Sequence, residues 1–327
     1  MKKFASAMPK ANPKRRVKLD NFSQKLKMRP KRNLRNRSNT MDPWLTDDLK
    51  ELLFTPCLLA SEMIGRKLDN RLRMSQEMDE RALTEMLVDA LDTSSAENTW
   101  GNVLDLLRDH HIYLSSQLQK CTQEHLIGAD IGLTISRHVH GPGLGCHADY
   151  CALIQCKKID SQKCVDDFFH EVRSTKKKQS SLLLDITPSS FYFIFTPPSL
   201  LDIYCSIEPI AFALARPGCS SAIWNRGSFE FNHVTHSVLT AREKAEATGV
   251  LVVPALAVEA QAAKGKGASL EEILPNCLPL WYWFGELFIP GFIGDRRQDV
   301  LKVAHNLGGN DNLPGVQYSL NFNLGNG

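Results

Sequence analysis

The sequence predicts an α/β fold: a mixed sheet flanked by helices, with further helices ahead of it and an α/β extension behind. Three observations carry this. Two runs, Asp130 to Ser136 and Asp149 to Lys157, alternate at period two. Phe191-Tyr192-Phe193-Ile194-Phe195-Thr196 is a nearly unbroken apolar run closed by Pro197-Pro198, the mark of a strand covered on both faces. Segments with apolar residues at helical spacing stand on either side of these runs.

The elements follow in chain order. Residues 1–40 hold fourteen Lys or Arg, one acid (Asp20) and few apolar anchors. They are expected to form a disordered basic arm that grips phosphates without regard to base sequence. In a eukaryote the same arm would read as a nuclear localisation signal. Met41 opens a cap-like stretch to Leu49 and is an alternative start. Residues 41–100 read as an N-terminal helical segment, with Leu49, Leu52, Leu53, Leu58, Leu59 and Met63 patterned over 45–75 and a second helix over 79–92. Val103, Leu106, Leu107, His110, Leu114, Leu118 and Cys121 keep helical spacing, so one helix is expected to deliver Glu124 to the first strand.

In the first strand Ile131, Leu133 and Ile135 oppose Asp130, Gly132, Thr134 and Ser136. In the second, Tyr150, Ala152, Ile154 and Cys156 oppose Asp149, Cys151, Leu153, Gln155 and Lys157. The segment between them, Arg137 to His147, carries three glycines and one proline and reads as a turn. An antiparallel hairpin results, and it places Asp130 beside Gln155 and Lys157. Residues 161–174 and 176–186 read as helices with basic outer faces, Lys176, Lys177 and Lys178 standing either at a DNA backbone or on a solvated helix end.

Residues 201–327 read as an extension packed on this core. Strands are expected at Ile210–Ala215 and Val250–Val253, a helix at 228–242, and a loop or helix end at Ala255–Ala268. Helices fall within 270–304, and Gly308–Asn312 and Asn321–Gly327 read as loop and tail. The run Cys277–Ile293 is apolar but contains Glu286, two prolines and two glycines. It predicts a buried helix and no membrane contact.

Composition bounds the function. The net charge of +3 conceals a split, because the 287 residues after the arm hold 25 basic and 35 acidic side chains, a net of −10. An acidic body disfavours tight autonomous DNA binding and points to a partner subunit. The N-terminus lacks an apolar h-region, so no signal peptide is expected. Nine cysteines, an odd number without paired spacing, predict reduced thiols and a cytoplasmic protein. Cys146, His147 and Cys151, with His138 and His140 nearby, lack a C-x-x-C spacing, so zinc is not expected. No Walker loop or GxGxxG is present, which removes the sequence basis for an NTPase or a dinucleotide enzyme.

The chemistry concentrates at the hairpin. Mg²⁺ prefers oxygen ligands and keeps several waters. Asp130 offers a carboxylate, Gln155 an amide oxygen, and Cys156 its backbone carbonyl between Gln155 and Lys157. Mn²⁺ would serve as a substitute. Lys157 would orient an attacking water or stabilise charge on a phosphate in transition. Glu124, six residues before Asp130, would act as an auxiliary acid, reaching the metal through a water or steering a second ion.

An acid, then Gln-x-Lys across a hairpin, with a Glu on the element before, resembles the PD-(D/E)XK nuclease superfamily. Gly128-Ala129-Asp130 followed by Gln155-Cys156-Lys157 is similar to the GxD…QxK signature of its Mrr-type restriction endonucleases. The resemblance spans about Val103 to Thr196. It implies a restriction endonuclease-like α-β-β-β-α-β core within residues 101–200, Mg²⁺ dependence and DNA as substrate. Glu124, Asp130, Gln155 and Lys157 would form the site, with Asp130, Gln155 and Glu124 toward the metal. The Gln replaces an acid, so weaker metal affinity is expected. A bacterial restriction or anti-phage defence effector is the implied setting, as a homo-oligomer or with a partner defence subunit. The rivals are a junction or repair nuclease, an RNase, and a non-catalytic nucleic-acid-binding or assembly protein on the same fold.

Overall fold

The computed structural model describes residues 47–95, 99–120, 128–141, 144–160, 164–165, 168, 171–172, 177–200, 249–262, 268–273, 277–291, 293–305 and 315–326. The chain divides into two units between Asp48 and Leu49, and nearly all described residues belong to the second. The basic arm and the elements expected at 210–215 and 228–242 lie outside the described residues.

One mixed sheet organises this unit. Its strands are β1 (Ile112–Lys120), β2 (Ile131–Gly141), β3 (Leu144–Lys158), β4 (Ser190–Phe195), β5 (Val250–Pro254), β6 (Leu278–Pro279) and β7 (Tyr318–Asn326), in the order β1-β7-β2-β3-β4-β5-β6. β7 runs antiparallel to β1 and parallel to β2. β2 and β3 form the expected antiparallel hairpin, with Ile131 opposite Ile154 and Ser136 opposite Asp149, but they run on through most of the expected turn, β2 to Gly141 and β3 from Leu144. β4 runs parallel to β3, while β4–β5 and β5–β6 are antiparallel. Three of the seven strands lie beyond residue 200, so the sheet runs on into that half of the chain.

The helices are α1 (Asp47–Arg73), α2 (Glu80–Leu91), α3 (Val103–Asp109), α4 (Gln179–Ile186), α5 (Ala255–Ala262), α6 (Leu270–Ile273), α7 (Leu280–Tyr282) and α8 (Gln298–Ala304). α1 buries Leu52, Leu53, Cys57, Ala60, Ile64 and Leu68, a stripe at helical spacing. α2 starts behind Asp79, whose carboxylate accepts from the Arg81 N–H at 3.2 Å, and it buries Leu83, Leu87, Val88 and Leu91. α4 lies between the parallel neighbours β3 and β4, a pairing that requires a crossover.

Both faces of the sheet are covered. α7 runs into a π-helical turn, Trp283–Phe288, as the apolar run Cys277–Ile293 leads one to expect of a buried helix. Trp283 packs edge-on to Phe191 and Phe193 at 5.0 and 5.4 Å, and Phe284 to Phe322 at 5.4 Å. On the opposite face α8 lies so close to β2 that a Cβ on Gly132 would fall 2.2 Å from the Ala304 carbonyl oxygen. Among the described residues no helix is long and apolar enough to cross a membrane.

Three expectations are corrected. The helix expected through Val103–Cys121 ends at Asp109, and β1 begins at Ile112. His110, Leu114 and Leu118 are spaced by four, a repeat that fits one helix face and one strand face alike. His111, at φ 59°, turns the chain between the two elements. The helix expected at 161–174 gives way to two-residue strands: Cys164–Val165 pairs with Ala268–Ser269, and Glu171–Val172 with Lys177–Lys178. The tail expected at Asn321–Gly327 is, through Asn326, the C-terminal part of β7, an interior strand. Its Asn and Gly content suggests a loop, but Tyr318, Leu320, Phe322 and Leu324 are buried at period two.

Candidate active site

The open end of the β2–β3 hairpin, opposite its turn, brings Asp130, Gln155 and Lys157 together. Asp130 is fixed by its backbone: its N–H donates to Ile154 O at 2.8 Å, and its C=O accepts from the Tyr318 N–H at 2.8 Å. β3 and β7 thus clamp the residue that opens β2. Its Oδ2 accepts from Gln155 Nε2 at 2.6 Å and from the Cys156 N–H at 2.7 Å. Gln155 is buried, and its Oε1 accepts from Gln179 Nε2 at 2.7 Å. Lys157, also buried, reaches Glu80 Oε1 at 3.3 Å.

Glu80 and Gln179 are the site residues that sequence reasoning missed. Glu80 is the first residue of α2, where an acid also suits the positive end of the helix dipole. Lys158, next to Lys157, donates to Met78 O at 3.1 Å and holds the entry of α2 against the end of β3. Glu124, expected as the auxiliary acid, lies outside the described residues. The signal for Glu80 was an acid just after an N-cap Asp, but only the packing of α2 on β3 brings it to Lys157. Gln179 opens α4, and Gly128 makes room for it. At φ 71°, Gly128 holds a backbone that disfavours a side chain, and a Cβ there would lie 2.5 Å from Gln179 Cγ.

The electrostatics are unusual for carboxylates. Burial pushes Asp130 up to about 7, and the charge of Glu80 adds to this, while the Cys156 N–H and Lys157 oppose it. Burial also raises Glu80 against the pull of Lys157. Two carboxylates and the Lys157 ammonium therefore meet in a poorly solvated place, and the Lys158 ammonium also draws on Glu80.

The oxygens of Asp130, Glu80, Gln155 and the Cys156 carbonyl are of the type a hard divalent cation takes. Among the described residues no three His, Cys, Asp or Glu side chains form a group that could hold a metal ion, so any such site relies on amide and backbone oxygens as well. The Gln155 amide is turned with its nitrogen to Asp130, so its oxygen would serve a cation only after rotation. The hydrogen-bond network fixes this orientation.

The other candidates disperse. Cys151 is buried and lies on β3 as a small hydrophobe, and the side chains of His140, Cys146 and His147 lie outside the described residues. Lys177 pairs with Asp185 at 2.8 Å, and Lys176 lies outside the described residues. A cavity of about 330 Å³ near Arg108, Tyr113 and His138 contains none of the cluster residues. Comparison with protein-family models, with curated proteins and with solved structures finds no match.

Proposed function

We propose that this protein is a Mg²⁺-dependent nuclease that hydrolyses DNA phosphodiester bonds on a restriction endonuclease-like core of the PD-(D/E)XK type, Mrr-like variant. One observation carries the reading. Asp130, Gln155 and Lys157, from the two strands of one hairpin, converge with Glu80 in one poorly solvated cluster. Asp130, Gln155 through its oxygen, and the Cys156 carbonyl would hold the metal, with Glu80 beside them. Bound Mg²⁺, or Mn²⁺ in its place, supplies an activated water and neutralises charge on the phosphate.

Lys157 is the electrostatic and positioning group. Its ammonium is anchored by Glu80, so its donors are held in a set direction with little water to screen them. The basic arm adds affinity for the nucleic-acid backbone. A cytoplasmic defence effector, acting as a homo-oligomer or with a partner subunit that offsets the acidic body, is the setting this reading favours.

A second reading has its own support. The Gln155 nitrogen donates to Asp130, so a hydrogen-bond donor stands where a cation would, as in a non-catalytic nucleic-acid-binding or assembly protein.

The test compares wild type with Lys157→Ala on plasmid, linear duplex, branched and single-stranded DNA and RNA, with Mg²⁺, Mn²⁺ or EDTA. Cation-dependent cleavage that drops by about 10²-fold or more in the variant supports the nuclease. Preference for branched DNA or RNA selects the junction nuclease or the RNase. Binding that survives Lys157→Ala with no cleavage under any metal selects the binding protein.

A further inference from the structure

The two glutamines form a chain whose direction matters. Gln179 Nε2 donates to Gln155 Oε1 at 2.7 Å. With its oxygen so engaged, Gln155 must turn its nitrogen the other way. That nitrogen donates to Asp130 Oδ2 at 2.6 Å and to Cys156 O at 3.1 Å. A hydrogen-bond donor therefore lies between two oxygens that are natural ligands of a hard cation. At the far end of the chain, Gln179 Oε1 is buried and has no hydrogen-bond partner among the described residues. A buried acceptor without a partner is costly.

Reversing both amides changes each of these facts. Gln155 would present its oxygen toward Asp130, which is tolerable only with a cation between them. Its NH₂ would then face Gln179, whose oxygen could accept from it, and the Gln179 NH₂ would take the buried place that this oxygen now holds. An amide is nearly symmetric in shape, so the reversal needs no change of volume in a tightly packed place.

We propose that Gln155 and Gln179 act as a two-position amide latch over the candidate metal site, Gln179 being the positioning residue that sets which atom of Gln155 faces Asp130. In one position an N–H donor occupies the ligand gap. In the other both amides are reversed and the gap is lined by oxygen. The inference rests on the nuclease reading for its cation, and it explains how a neutral Gln serves where an acid would need no such control.

The experiment measures Mn²⁺ binding to the full chain by calorimetry, without nucleic acid. Gln179→Glu keeps the shape but can only accept, so it holds Gln155 in the reversed position. Gln155→Glu has no amide to orient and reports the effect of added charge alone. Gln179→Glu should tighten Mn²⁺ binding by about tenfold in the natural background, the equivalent of one charge-assisted hydrogen bond. It should do much less in the Gln155→Glu background. Equal factors in both backgrounds, or no change in the natural one, overturn the latch.

Side-chain amide resonances of labelled glutamine, followed with diamagnetic Mg²⁺, give a second readout. Those of Gln155 and Gln179 should shift together on titration. Cation uptake with both unmoved overturns the latch and leaves the nuclease reading standing. No cation uptake by wild type overturns both.

Discussion

Two acids anchored to β3 have opposite fates. Asp295 forms an isolated bridge with Cys151, its N–H and C=O paired to the Cys151 backbone at 2.8 and 2.9 Å. Its carboxylate accepts from Thr187 Oγ1 at 2.6 Å and from three nitrogens of Arg297. Although burial opposes it, those donors hold Asp295 below the usual carboxylate range. Asp130 accepts from one amide and one backbone N–H, shares Lys157 with Glu80, and rises to about 7. An acid with its own cation is a rivet between segments. An acid buried beside a second carboxylate resists ionisation, and a bound divalent cation would relieve that.

This contrast breaks first at the rivet. Asp295→Ala leaves the buried Thr187 O–H without its acceptor and removes the carboxylate that Arg297 pairs with, while the backbone bridge to Cys151 stays. Stability should fall by ~1–3 kcal/mol, read from urea denaturation. Any cleavage should persist in the folded fraction.

The pH dependence comes next. Asp130 binds its proton more tightly in the folded than in the unfolded chain, because burial raises its native value. The fold therefore gains most from the neutral acid at low pH and loses that gain as pH rises from about 4 toward 7. Cation affinity runs the other way. It should rise about tenfold per pH unit below 7 and level off above, as measured by Mn²⁺ calorimetry across pH. Glu80→Gln has the smallest effect. It removes a neighbouring charge that raises Asp130, so the midpoint of that profile should move down, with cleavage reduced by about tenfold.

The hairpin was legible in the sequence because its two strands alternate without interruption, and alternation fixes both pairing and face. Asp130, Gln155 and Lys157 therefore came together as expected. Glu80 and Gln179 were not legible. Each opens a helix whose sequence gives no sign of the strand it packs against. The reading of Leu114 and Leu118 failed because a spacing of four serves a helix and a strand equally. β7 was missed because Ser319, Asn321 and Asn323 look like loop chemistry, although Leu320, Phe322 and Leu324, alternating with them, carry the strand pattern. An interior strand supplied from the chain end depends on long-range pairing that no local window contains.

The most direct test sets Asp130→Asn beside Asp295→Ala in one Mg²⁺ plasmid-cleavage assay, with the stability of each variant measured in the same buffer. Both hydrogen bonds to the Asp130 carboxylate land on Oδ2, so an Asn can keep them through its oxygen. The predicted result is Asp130→Asn at least as stable as wild type and inactive, with Asp295→Ala less stable and still active when folded. Cleavage by Asp130→Asn at the wild-type rate, or activity that tracks stability in both variants, would contradict the assignment of Asp130 to a metal-dependent nuclease site.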